Sequence, residues 1–105
     1  MPIMAIYRSK DVTESQYAPY EDFVLSRPAP PGALLHQVAF DADGGLCVID
    51  IWDNRAEFEM FTAEAINPNL ERFGITPQPP EVLEVTSLAT HDGIDRFKLL
   101  HPTRP

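Results

Sequence analysis

The chain is organised by short apolar runs separated by polar, proline-rich or glycine-rich breaks. Ile3-Met4-Ala5-Ile6-Tyr7 carries residues suited to both faces of a sheet and predicts a strand buried on both sides. Tyr17, Tyr20, Phe23 and Val24 then recur at helical spacing, with Thr13 and Gln16 placed as a capping box ahead of them. Pro19 opposes a regular helix here, because an interior proline removes a donor and crowds the preceding turn. Either the helix begins nearer Pro19 or its first turn is irregular. Arg27-Pro28-Ala29-Pro30-Pro31-Gly32 stops it and forms a stiff connector.

Leu34 to Phe40 and Leu46 to Trp52 predict two strands joined through Asp41-Ala42-Asp43-Gly44-Gly45, the strongest hairpin signal in the chain. Asn54 and Glu57 repeat the capping-box spacing, and Phe58, Phe61, Ala65 and Ile66 give a second helix its apolar face. Asn67-Pro68 breaks or kinks that helix, and Leu70 and Phe73 extend it by a turn before Gly74. After a connector at Pro77–Pro80, Val82 to Leu88 alternates as a last strand. Residues 91–105 form a tail with an element over Ile94–Leu100.

Strand, helix, strand, strand, helix, strand is the order of the split βαβ arrangement. The fold class is therefore α+β: a ferredoxin-like βαββαβ domain over residues 1–90, with a four-stranded antiparallel sheet and two helices on one face. Such a sheet leaves its other face bare, yet Ile3–Tyr7 and Cys47–Ile51 are apolar on both sides. A second copy is the economical cover, so a homodimer is expected, with the tail 91–105 packing on the partner subunit.

Strand alternation sets out the candidate chemistry. His36, Val38 and Phe40 share a face with Leu34, and Leu46, Val48, Asp50 and Trp52 share a face of the next strand. A hairpin loop of three or five residues puts both sets on the same side, with His36 opposite Trp52 or Asp50 according to its length. An even loop separates them. The odd register is preferred because it collects Leu35, Gln37, Ala39, Cys47, Ile49 and Ile51 on one largely apolar face. His36, Asp50 and Trp52 then converge on the other, in an apolar wall of the kind that lines small-molecule pockets. A carboxylate beside His36 raises its pKa and fixes its tautomer, which suits His36 and Asp50 to proton chemistry. Trp52, Phe40, Tyr7 from the first strand and Tyr20 from the first helix offer flat surfaces for an apolar or aromatic ligand, and Tyr17 could close the same cavity. The plainer alternative is ordinary core packing for each aromatic and a hydrogen-bonded structural role for His36.

Composition narrows the partners. Sixteen acidic against eight basic residues give a net charge of −8, which opposes nucleic acid and anionic membranes. No apolar stretch reaches the roughly 18 residues of a membrane span, and the N-terminus lacks a secretory pattern, so a cytoplasmic location is expected. Cys47 is the single cysteine and reads as a packed thiol. His36, His91 and His101 have no metal-ligand spacing, Glu57, Glu59 and Glu64 read as a solvated helix face, and no phosphate loop or dinucleotide fingerprint is present. Neither a metal nor an organic cofactor is expected.

The segment VIDIWDNRAEFEMF joins an apolar strand, an acidic residue two before a tryptophan, and a capped helix with aromatic positions. With MAIYRSKDVTESQY and GALLHQVAFDADGG it resembles the dimeric α/β-barrel superfamily, and within it the antibiotic-biosynthesis-monooxygenase-like proteins, over roughly residues 3–88. That resemblance implies a barrel shared by two subunits, with a ligand cavity between sheet and helices. It also implies cofactor-independent monooxygenase chemistry on an aromatic or polyketide-like substrate, with oxygen activated by the substrate's own carbanion. Trp52 matches the tryptophan that often lines the family cavity, and His36 lies on the strand where some members place a polar pocket residue. The stretch Phe58–Ala65 lacks the histidine that many members carry, which argues against haem degradation. A non-catalytic ligand-binding or scaffolding dimer is the alternative.

Overall fold

The computed structural model describes residues 1–99. The tail beyond, with His101, Pro102, Pro105 and the end of the expected Ile94–Leu100 element, lies outside the described residues. The elements are β1 (Ile3–Ser9), α1 (Glu14–Leu25), β2 (Ala33–Phe40), β3 (Leu46–Trp52), α2 (Arg55–Phe61), a π turn (Thr62–Ile66), α3 (Asn67–Arg72), β4 (Glu81–Glu84) and a 3-10 turn (Asp92–Phe97). The four strands form one sheet in the order β2-β3-β1-β4, with every neighbouring pair antiparallel. This is the ferredoxin-like α+β arrangement, in which β3 threads between the strands that α1 connects.

Side-by-side residues fix the two faces. Ile3, Ala5 and Tyr7 of β1 stand beside Trp52, Asp50 and Val48 of β3, and those three β3 residues are buried. The same face meets the helices: Tyr17 and Tyr20 of α1 pack with Leu46 and Val48, while Phe58 of α2 packs with Ile3, Ala5 and Trp52. Two clusters result, and Tyr7 packs against both. The opposite face presents Met4, Ile6, Cys47 and Ile49, all half-buried and outside both core clusters of the described residues.

Local chemistry explains the connections. Phe40 pairs with Leu46, so the hairpin loop holds the five residues Asp41–Gly45. Asp41 closes it from both ends: its Oδ1 accepts from the Asp43 and Gly45 N–H groups at 2.9 and 2.8 Å. His36 therefore stands opposite Asp50, as the five-residue form of the odd register requires. Near its start β2 departs from simple alternation. A bulge lets Ala33 pair with Trp52 and Leu35 with Ile51, so Leu34 is the extra residue and is exposed, not aligned with His36.

The helices follow their caps with three corrections. Thr13 caps α1 by accepting from the Gln16 N–H at 3.2 Å, but the Gln16 side chain turns away to the Gly74 carbonyl at 3.5 Å, so the box is half formed. Pro19 is carried inside a helix that starts at Glu14. It lies on the exposed side, where the carbonyl it cannot serve faces water. Asn54 caps α2 by accepting from the Glu57 N–H at 2.9 Å, and its side-chain amide, in place of the backbone N–H of a full box, donates to Glu57 Oε1 at 2.8 Å. Glu57 is half-buried, with Oε2 enclosed, and does not belong to the solvated face expected for it.

Pro68 does not break the second helix, because a π turn precedes it. The Asn67 N–H reaches back to the Thr62 carbonyl, five residues away, and the Asn69 side chain donates to the Ala65 carbonyl at 2.8 Å. The last strand is shorter than its alternation suggests, ending at Glu84 where pairing with β1 runs out at Ile3.

Gly32 holds the connector in place. Its φ of +84° is left-handed, its carbonyl accepts from the Asp53 N–H at 2.7 Å, and a Cβ there would collide with the Glu57 carboxylate. Gly32→Ala is expected to cost about 1–3 kcal/mol, read as a lower urea midpoint with an unchanged slope.

Candidate functional site

A cavity of about 70 Å³ opens between the helix side of the sheet and the segments α1, Ile66–Leu70 and Ile75–Gln78. Val12, Leu46, Val48, Ile66, Leu70 and Ile75 make its apolar wall, and Tyr7, Tyr17, Tyr20, His36 and Asp50 supply the polar groups. Val12, Tyr17, Tyr20, Leu46, Val48 and Ile75 also form a continuous core cluster, so the cavity sits in the packed centre of the molecule.

At its polar end the His36 ring is held from both sides. Nδ1 lies 2.6 Å from Asp50 Oδ1 and Nε2 lies 2.8 Å from Glu21 Oε1. The three residues come from β2, β3 and α1, so the contact ties helix to sheet across the cavity. Side-chain exposure is 24% for His36, 11% for Asp50 and 21% for Glu21. Ionised carboxylates only accept hydrogen bonds, whereas a neutral imidazole has one donor and one acceptor nitrogen. Both contacts are satisfied together when the ring is doubly protonated. Burial by itself works against that charge, but the hydrogen bonds and charges of Asp50 and Glu21 outweigh it, and the imidazole is pushed up to about 10.

The tyrosines are raised as well, and for them burial works in the same direction as the charges. Burial, reinforced by the Asp50 and Glu21 charges, raises the phenols of Tyr17 and Tyr20, and burial with Asp50 does the same for Tyr7. All three remain un-ionised hydroxyls. The Tyr7 hydroxyl is buried and makes no hydrogen bond among the described residues, although Thr62 is close enough to influence it. Thr62 instead donates to the Phe58 carbonyl at 2.7 Å.

Of the residues singled out in the sequence, the structure gathers His36, Asp50, Tyr7 and Tyr20 on the cavity, together with Tyr17. Trp52 and Phe40 are placed beside it, not among its lining residues. Trp52 is 3% exposed and belongs to the neighbouring cluster, with its ring 6.1 Å from Phe58 and 5.5 Å from Phe61. Its indole N–H is buried with no partner among the described residues. Phe40 meets the edge of Tyr17 at 6.5 Å. Glu21 was missed by sequence reasoning. Its signal is positional: an acidic residue four after Tyr17 and next to Tyr20 sits on the border of the apolar stripe of α1.

Among the described residues, no group of three His, Cys, Asp or Glu side chains is arranged to hold a metal ion, and no helix is long and apolar enough to cross a membrane.

The fold defines a structural class: a ferredoxin-like α+β domain, here with a cavity between sheet and helices. Solved structures that share this fold include proteins described as antibiotic biosynthesis monooxygenases, the family named by the sequence resemblance. One is a candidate antibiotic biosynthesis monooxygenase from Deinococcus radiodurans, 17% identical, with a TM-score of 0.59 over 87% of this chain and 98% of that one. Another is Rv0793 from Mycobacterium tuberculosis, 16% identical, with a TM-score of 0.57 over 86% and 98%. A third is SnoaB, a cofactor-independent oxygenase from Streptomyces nogalater, 14% identical, with a TM-score of 0.58 over 86% and 98%. At these identities the likeness is one of fold. No protein-family model and no curated protein matches the chain.

Proposed function

We propose that this protein is a cytoplasmic homodimer that binds a small aromatic molecule in the cavity beside His36, and that it acts on that molecule as a cofactor-independent monooxygenase-like enzyme. The observation that carries the reading is the cavity itself, an apolar and aromatic wall with one convergent charged group, Glu21–His36–Asp50. Its volume of about 70 Å³ is far below the roughly 300–1,000 Å³ of drug-sized sites, so the ligand that fits it as it stands is a single ring entering from the mouth. His36 and Asp50 are the polar residues of the reaction, with Tyr7 and Tyr20 against the ring. Trp52 and Phe40 back that wall from the adjoining core.

The chemistry assigned to the site needs no metal or flavin. Loss of a proton from an electron-rich hydroxylated ring gives a carbanion that dioxygen can attack. One oxygen atom is retained as a new C=O at a ring carbon that carried a hydrogen; that hydrogen and the hydroxyl's leave with the other oxygen as water, so the ring, becoming a quinone, supplies all the electrons. The shared fold with SnoaB, a cofactor-independent oxygenase, supports this class of reaction. One feature favours a second reading, a binder without turnover: both ring nitrogens of His36 are already engaged.

Oxygen uptake separates the two. Purified protein is mixed with catechol or resorcinol, and dioxygen consumption and product mass are followed beside Asp50→Asn. Uptake that the variant loses supports the enzyme, and saturable binding without uptake supports the binder. Absence of both sinks the cavity assignment.

The dimer rests on the sheet face away from the core clusters, where Met4, Ile6 and Ile49 are half-buried and have no helix over them among the described residues. On the 1–90 domain a tail from residue 91 would reach the partner, and Ile94, Phe97 and Leu99 are exposed apolar residues available for that contact. Light scattering on a sizing column is expected to give twice the chain mass. Ile49→Asp, which puts a charge into the centre of that face, is expected to give one chain mass. A wild-type monomer at every concentration removes the dimer from the proposal.

A further inference from the structure

The cavity's polar end contains a residue whose role the preceding reading leaves open. Glu21 lies on α1, whereas His36 and Asp50 are neighbours on the sheet, so the Glu21 contact is the only hydrogen bond that joins the helix to this pair among the described residues. It occupies Nε2, the nitrogen that Asp50 leaves unused. With a carboxylate on each nitrogen the ring has no lone pair with which to take a proton. Asp50 differs: its contact with His36 uses Oδ1 and leaves Oδ2, and its side chain lines the cavity. The other titratable or charged groups on the cavity are the un-ionised hydroxyls of Tyr7 on β1 and of Tyr17 and Tyr20 on α1, and Arg8 on β1, which is exposed.

We propose that Glu21 is a positioning residue of this site: it fixes His36 between two carboxylates, so that Asp50 is the group that takes a hydrogen bond or a proton from a ligand bearing an O–H. This rests on the reading of the cavity as a ligand site and deepens it by naming the ligand's chemistry. Two carboxylates face one imidazolium, so the cluster as a whole carries an excess of negative charge and of acceptors. A phenol-type hydroxyl complements it. A carboxylate or phosphate on the same ring meets like charge and finds its natural donor, the imidazolium, already engaged on both sides. In the proton-transfer step the ligand's O–H bond breaks, the pair stays on the ligand oxygen, and the proton moves to Asp50. His36 keeps both of its own protons and stabilises the anion through space.

The clamp can be tested on the free protein. Nitrogen-15 spectra of the imidazole groups, assigned with His36→Gln, are followed with pH. Wild-type His36 is expected to hold protons on both nitrogens well above the pH at which an ordinary histidine, at about 6.5, loses one. Glu21→Gln keeps the shape of the side chain and removes its charge, and should lower the His36 midpoint by at least one pH unit, a tenfold change in proton affinity. Glu21→Asp should recover part of that change. A His36 midpoint that is ordinary in the wild type, or unmoved by Glu21→Gln, overturns the clamp.

Ligand chemistry is read separately, from tyrosine ring signals during titration with phenol and with benzoate. Phenol is expected to shift the Tyr7 and Tyr20 signals with affinity at least tenfold above that of benzoate, and Glu21→Gln should narrow that preference. Benzoate binding as well as phenol overturns the assignment of Asp50 as acceptor. No response to phenol from a protein whose clamp is intact overturns the cavity as a ligand site, an outcome distinguishable from failure of the clamp.

Discussion

From about pH 6.5 to about pH 10 the protein is expected to lose about 3 kcal/mol of stability through His36. The direction follows from which state binds the proton. In the unfolded chain the imidazole has its ordinary pKa near 6.5, whereas in the fold it is pushed up to about 10 by Asp50 and Glu21. Below the unfolded value both states are protonated and the clamp contributes in full. Between the two values the folded state still holds the proton and the unfolded state has released it, so each further pH unit removes up to about 1.4 kcal/mol. Above about 10 the contribution is gone. The full span would exceed the 3 kcal/mol stated, which is discounted for a side chain still 24% exposed.

Unfolded phenols begin to ionise near pH 10 and add a loss of the same sign, so the His36 slope is read between about pH 6.5 and about pH 9. In the fold the cavity tyrosines are raised by burial, and they stay neutral through that range. Urea denaturation at several pH values measures the slope directly. His36→Gln is expected to be less stable at pH 6.5 and nearly flat across the same range. A wild-type slope no steeper than that of the variant would mean that the imidazole is not held as a cation. Asp50→Ala should be more damaging than His36→Gln at neutral pH, because it leaves a mostly enclosed cation with Glu21 as its one partner and Nδ1 without an acceptor. Removing one partner of a buried pair costs about 3–5 kcal/mol.

This behaviour was partly legible in the residues. Alternation in β2 and β3 and the Asp41–Gly45 loop sufficed to put His36 opposite Asp50, since a strand register is a matter of counting once the loop length is chosen. The element order, the Asn54–Glu57 cap and the apolar outer face were likewise local patterns. What sequence could not supply was the helix-to-sheet contact. Glu21 is one of several acidic residues on or near α1, and only the angle at which α1 crosses the sheet turns it toward His36. The bulge at Leu34 was hidden for a related reason: an extra residue in a strand leaves the apolar pattern almost unchanged while turning one side chain outward. At Pro68 the sequence signalled disruption, and the chain absorbed it in a π turn because the apolar positions on both sides, Phe61 and Ile66 before and Leu70 after, still reach the interior. Trp52 was expected at the pocket from the face it shares with Asp50 and from the family resemblance. Sharing a face with Asp50 does not decide which part of a long sheet a side chain covers, and Trp52 lies at the end where α2 begins.

That position makes Trp52→Ala the most destabilising single truncation expected in the chain. The indole is 3% exposed and touches two rings, Phe58 and Phe61, under the first turns of the second helix. Large-to-small changes of an aromatic in a core cost about 3–5 kcal/mol, from lost transfer energy and from the space left behind. Little relief is available here, because Phe58 is anchored one residue beyond the capped residue Glu57 and cannot easily follow the backbone inward. Trp52→Phe keeps a ring against both partners and removes an N–H that has no hydrogen bond among the described residues, so it is expected to cost no more than about 1.5 kcal/mol. The pair of variants also separates packing from ligand contact. If Trp52 backs the wall through the core, as its placement beside the cavity implies, Trp52→Phe should leave the phenol affinity within about twofold while thermal unfolding moves only slightly. A large loss of affinity in a Trp52→Phe protein of near-normal stability would instead put the indole in contact with the ligand, and would mean that the occupied cavity extends past Tyr7 into the second cluster.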